Sequence, residues 1–282
     1  MTVIYATLAL VAFAANSILC RLALREATID AATFTTVRVV SGAGMLLLVM
    51  SFTRGDIRRD TVKSWTSAAI LFLYAVPFSF AYTRLSAATG ALILFGAVQA
   101  TMLVSAARSG ETLRPTQWLG FLIALAGLMY LVLPGLTAPS PTAAALMGIA
   151  GVCWGIYTLR GRGMVNPLAQ NTINFVRAVP LVLIVSILAV RQMHVSPRGI
   201  LIATVSGAVT SGLGYVAWYS ALRRLTATRA AVLQLAVPVL ATAGGVVFLM
   251  EPLSLRLAVS ALLVIGGIAL TLARPRSSAV AA

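Results

Sequence analysis

Acidic side chains are nearly missing from this chain: six in 282 residues, alongside a single histidine and two cysteines. Charged residues of either sign make up 10% of the chain, against about 25% in an ordinary soluble domain. The acids are Glu26, Asp30, Asp56, Asp60, Glu111 and Glu251, and each falls in a loop or at the end of an apolar run. His194 falls in a polar break. No His, Asp or Glu lies inside an apolar run, and neither HExxH nor GxSxG occurs. An intramembrane enzyme would need a nucleophile with a base, or a metal cluster, so an enzyme and a resident metal or cofactor are not expected. The same scarcity argues against a proton relay through a buried carboxylate or imidazole. Cys20 and Cys153 form no CxxC pair, and they read as small apolar residues. Long polar stretches are missing too: the longest is "TRGDIRRDTVKS", residues 53–64.

What remains is apolar. Hydrophobic residues make up 60% of the chain, in runs near 20 residues long. That is the length of a helix across a bilayer. Strict alternation is missing, so a barrel is not expected, and backbone groups in lipid must then be satisfied within helices. The predicted spans are 3–20, 32–52, 64–83, 86–107, 114–133, 142–160, 168–190, 199–221, 227–249 and 254–273. "AFAA" at 12–15 resembles a leader cleavage site, but the first run is read as a retained helix.

The net charge of +15 does not indicate nucleic acid. Its Arg residues are scattered in ones to threes, without a basic patch interleaved with aromatics. With the N-terminus inside, thirteen Arg and Lys fall in inner loops and tails and six in outer loops. The positive-inside rule then puts both termini in the cytoplasm, and the expected location is the inner membrane of a bacterium. Trp65 and Trp118 open their spans on that face and read as interfacial anchors.

The chain repeats itself. "TTVRVV" (35–40) and "NFVRAV" (174–179) set Arg38 and Arg177 139 residues apart. The same offset relates Arg21 to Arg160. An offset of 140 relates "GETLRPTQWLGFLIALAGL" (110–128) to "MEPLSLRLAVSALLVIGGI" (250–268), so Glu111 meets Glu251 and Gly127 meets Gly267. The fold expected is therefore all-α, with ten transmembrane helices as two five-helix repeats, residues 1–137 and 138–282. Five is odd, so the second half is inverted, the design of secondary transporters whose site lies near the midplane. Arg38 and Arg177 would sit one in each leaflet, as gating or structural residues. Glu111 and Glu251 read as caps of the helices that follow them.

The segment "AVPVLATAGGVVFLMEPLSLRLAVSALLVIGGIALTL" (236–272) resembles the second repeat of the drug/metabolite transporter superfamily, EamA type. It has a mid-helix Pro238, a Gly pair, a Glu before the last span and Gly-Gly within it. The first repeat carries the pattern more weakly, with Gln99 where Pro238 would match. The resemblance covers the whole chain, and among the branches it is most similar to aromatic amino-acid exporters. It implies alternating access, a monomer in the lipid bilayer, no cofactor and no nucleic acid. It also implies a cavity lined by spans 1, 3, 4, 6, 8 and 9.

Candidates for that cavity are the aromatics Tyr74, Phe78 and Tyr82 on one face of span 3, Trp154 and Tyr157 on span 6, and Tyr215, Trp218 and Tyr219 on span 8. Asn16, Gln99 and Gln234 are amides in apolar spans, able to bond a zwitterion or to bind helices together. Pro77, Pro180 and Pro238 interrupt helix hydrogen bonding within spans; Pro77 and Pro238 join the gating or structural set. With no intramembrane acid, the expectation is an uncoupled facilitator exporting aromatic amino acids. The alternative is export of other neutral amino acids, amines or drug-like metabolites, with or without proton coupling.

Overall fold

The structure, a computed structural model, describes residues 1–53, 65–108, 115–133, 138–161, 166–225, 230, 233–234 and 236–272. The described residues form α1 (Thr2–Arg25), α2 (Ala31–Phe52), α3 (Thr66–Tyr82), α4 (Ala87–Arg108), α5 (Pro115–Val132), α6 (Pro141–Gly161) and α7 (Pro167–Leu188). They continue with α8 (Pro197–Leu222), α9 (Ala236–Leu249) and α10 (Leu255–Leu272). Most described ends fall within two residues of the spans read from the sequence; α1 runs five residues further. Six of the helices are long and apolar enough to cross a membrane, and four are shorter apolar helices.

Local sequence explains where the helices begin. Asp30 accepts the Thr33 N–H at 2.9 Å to start α2, Asn166 accepts Ala169 N–H at 3.1 Å to start α7, and Ser196 accepts Gly199 N–H at 3.1 Å to start α8. These are N-cap bonds to otherwise orphan donors. Proline stands first in α5, α6, α7 and α8, where its missing N–H costs nothing. Large apolar side chains such as Leu8, Leu48, Leu122, Ile187, Phe248 and Leu262 point outward and exposed, as a lipid-facing surface requires.

The principal helix pairs are α5 with α10, α2 with α7, α4 with α9, α3 with α6, α1 with α8, α4 with α6, α1 with α9, α2 with α8 and α3 with α7. Exchanging each helix for the one five places on returns the same set of pairs. Repeat-related helices run antiparallel. A Cβ on Gly127 would meet Leu263, while one on Gly267 would meet Ala124. Thr36 of α2 reaches Val182 and Ser186, while Gly42 faces Phe175 of α7. The architecture is thus two five-helix halves of inverted topology.

Gly44 on α2 has nothing within 4 Å of where its Cβ would stand. Gly44→Ala should therefore only improve helix propensity, by about 0.5–1 kcal/mol. The expected result is a melting temperature in detergent that is a few degrees higher; an unchanged or lower value would show that the open space is used.

Candidate functional site

Arg38, about a third of the way along α2, is 1% exposed. Its burial follows from α8. That helix is interrupted by a wide π turn over Ser206–Leu213, a feature that re-aims side chains and recurs at functional sites. Gly207 in this turn lets α8 lie directly on α2, where any Cβ would overlap the Arg38 carbonyl. The turn delivers Ser211, whose Oγ accepts the Arg38 Nε–H at 2.9 Å. Nη2 donates to Tyr74 Oη at 3.1 Å and lies 3.3 Å from Tyr215 Oη. The guanidinium also stacks over the rings of Phe78 and Tyr74, at 4.8 and 5.3 Å from their centroids. Nη1 is buried and has no partner.

Around Arg38 lies a connected cluster of ten aromatic rings. Trp154 is its hub, touching Phe13 at 5.3 Å, Tyr74 at 5.2 Å, Tyr157 at 5.9 Å and Tyr215 at 4.7 Å between centroids. Tyr74 leads through Phe78 to Tyr82. Phe13 also reaches Trp218, Tyr157 reaches Tyr219, and Phe175 closes on Tyr215. The rings enclose a cavity of about 10 Å³ lined by Phe13, Asn16, Ser17, Tyr74, Phe78 and Trp154, with Leu94 and Phe95 behind. That is room for about one water. The void as it stands does not admit a substrate ring.

The polar candidates divide. Asn16 lines the cavity; its Oδ1 accepts from Ser206 at 2.7 Å and lies 3.2 Å from Thr210 Oγ1, which leaves its NH₂ end to offer. Gln234 accepts the Trp154 indole N–H at 3.3 Å, and its own Nε2 is buried without a partner. Trp218 Nε1 is unpartnered as well. Tyr157 is tied to α7 instead: its hydroxyl donates to Asn171 Oδ1 at 2.9 Å and accepts from Asn174 at 3.0 Å. Gln99 is buried on α4, outside the cavity lining. Pro77 lies inside α3, and Pro238 is buried near the start of α9. Arg177 is half-buried and stacks over Trp65 at 5.4 Å, so the two repeat-related arginines have different surroundings. Phe13, Phe175 and Ser211 belong to the site and were not singled out by sequence. Among the described residues no group of three His, Cys, Asp or Glu could hold a metal ion.

On the side away from the N-terminus a polar network ties α1, α3, α4 and the end of α9 together. Arg21 Nε donates to Glu251 Oε1 at 3.2 Å, and Arg21 Nη1 donates to the Tyr82 and Thr83 carbonyls at 3.0 and 3.3 Å. Glu251 Oε2 accepts the Ala87 N–H at 2.8 Å, and Arg25 donates to the Leu249 carbonyl. The sequence reading of Glu251 as the cap of the helix that follows it needs correction. It caps α4, a different helix, and α10 is capped by Ser254, which accepts the Leu257 N–H at 3.1 Å. The chain folds back after α9 and carries the carboxylate onto the orphan donor of α4. Glu111 lies outside the described residues.

Residues 1–133 and 141–273 each match the model of the EamA-like transporter family. An uncharacterized protein of Pseudomonas aeruginosa is 47% identical over 272 residues, which is 96% of this chain and 94% of that protein. A solved crystal structure superimposes with a TM-score of 0.67 at 20% identity, covering 94% of this chain and 95% of the other. At that identity the likeness speaks to the fold alone.

Proposed function

The chain belongs to the EamA-like transporter family, multi-pass membrane proteins that move small molecules, and we propose that its substrates are aromatic amino acids and similar planar molecules. One observation carries this reading. A small cavity within the central cluster is walled by Phe13, Tyr74, Phe78 and Trp154, with Asn16 at its polar end. A planar ring entering between these side chains would exchange protein–protein ring contacts for protein–substrate contacts of the same kind. Alternating access through the two inverted halves, a monomeric unit, and both termini on the cytoplasmic side of a bacterial inner membrane complete the reading. The repeat and the Arg distribution support it.

The proposed mode is facilitated export, since cells accumulate amino acids and no acid or histidine lies within an apolar run. The test is uptake of labelled phenylalanine, tyrosine and tryptophan into proteoliposomes of purified protein without an ion gradient. Saturable uptake is expected. Uptake that requires a pH gradient would overturn the uncoupled mode. It would favour a second reading, proton-coupled transport of the same substrates. No uptake in either condition would remove the aromatic amino acids.

A further inference from the structure

We propose that the group this transporter recognises in its substrate is an anion, a carboxylate held by Arg38, and that an α-amino group is dispensable. The inference rests on the reading of the central cluster as the substrate site, and it names the chemistry of that site. A guanidinium is permanently charged, and burying it is expensive unless an opposite charge is near. Arg38 is 1% exposed, yet each side chain that it bonds is neutral: Ser211, Tyr74 and Tyr215.

The described carboxylates are engaged elsewhere. Glu26 pairs with Arg198 at 2.7 Å, Asp30 caps α2 and accepts the His194 N–H, and Glu251 pairs with Arg21. Asp56, Asp60 and Glu111 lie outside the described residues. Of five N–H donors on a guanidinium, those of Nη1 are unused and buried.

The surroundings repeat the pattern. Trp218 Nε1 and Gln234 Nε2 are also buried donors without acceptors. Both belong to the same cluster, through Phe13 and Trp154 respectively. Unused buried N–H donors in the same cluster as a cation without a counter-charge are completed by an acceptor that carries negative charge. An ammonium would find only neutral partners at the cavity, the ring faces and the side chains of Asn16 and Ser17, and no carboxylate. Arg38 stacks on Phe78 and Tyr74, two walls of the cavity. Arg38 itself does not line that cavity, so a carboxylate would reach the guanidinium only where the Tyr74 and Phe78 rings move apart to admit the planar body. A structural role alone would be met by a neutral side chain with the same reach and without the cost of the charge.

The test measures binding to the purified full chain in detergent, by calorimetry or ligand-induced thermal shift. The probes are phenylalanine, 3-phenylpropionate, phenethylamine and phenylalaninamide, with leucine and 4-methylpentanoate as aliphatic carboxylates. Phenylpropionate is expected within about tenfold of phenylalanine, and the amine and the amide at least tenfold weaker. Arg38→Gln is expected to erase this preference, and Arg38→Lys to keep part of it. The proposal is overturned if the amine or amide binds wild type as tightly as the carboxylates, if Arg38→Gln keeps the preference, or if no probe binds folded protein. Should Arg38→Gln not fold, the wild-type comparison of carboxylate with amine decides. If the aliphatic carboxylates bind in an Arg38-dependent way and the aromatic ones do not, the anchor stands and the aromatic reading falls.

Discussion

Trp154→Ala should lower the initial rate of phenylalanine uptake by about a hundredfold at subsaturating substrate, while Trp154→Phe should stay within about tenfold of wild type. The expectation follows from the place of Trp154 at the hub of the aromatic cluster, with four rings in contact and its indole N–H on Gln234. Each ring contact is worth about 0.5–1.5 kcal/mol beyond area burial. A substrate ring that replaces two of them would lose about 1–3 kcal/mol, and the lost indole surface accounts for a further part. Together these correspond to roughly two decades. Phenylalanine at position 154 keeps a ring but not the hydrogen bond. Trp→Ala in a core also costs about 3–5 kcal/mol of stability, so uptake must be normalised to folded protein by size-exclusion profile and melting temperature. If both variants lose uptake only in proportion to folded protein, Trp154 serves packing and the site lies elsewhere.

Much of this was legible in the amino-acid order. Apolar runs gave the spans, because a helix is the one economical way for a single segment to satisfy its backbone in lipid. The inverted halves followed from a near-constant offset and an odd helix number. The faces of α3, α6 and α8 followed from spacing alone, since Tyr74, Phe78 and Tyr82 recur every fourth residue. Phe13 and Phe175 were not legible: an apolar ring in an apolar helix carries no mark of which side faces a neighbour. Ser211 was hidden for another reason. "SGLG" announces that a backbone comes close, but only the folded α8 shows the π turn that swings the hydroxyl onto Arg38.

Arg38 and Arg177 make the limit plain. They are equivalent in the repeat, yet one is buried among α2, α3 and α8 and the other is half-buried and stacks on Trp65. Burial depends on which helix packs above a residue, and that is decided between elements far apart in the chain. Glu251 illustrates the same limit, since its capping target is set by a chain reversal and not by the residues beside it.

Glu251→Gln should raise the rate at which Cys20 reacts with a small methanethiosulfonate reagent, by roughly 10- to 150-fold, in a Cys153→Ser background. Cys20 is fully buried in the wild type and precedes Arg21, whose pair with Glu251 ties α1 to the end of α9 and, through Ala87, to the start of α4. Hydrogen bonds to charged groups contribute about 1.5–3 kcal/mol, and that range converts to the expected shift towards a state open on this side. Arg21 keeps its two carbonyl acceptors in the variant, so the protein should still fold. The double variant Arg21→Gln with Glu251→Gln should gain less than the sum of the single changes, because the two side chains act as one contact. An unchanged Cys20 rate would mean that Glu251 only caps α4 and that the seal opens elsewhere. A variant that opens this face and transports as the wild type does without a gradient would leave the latch as a gate alone.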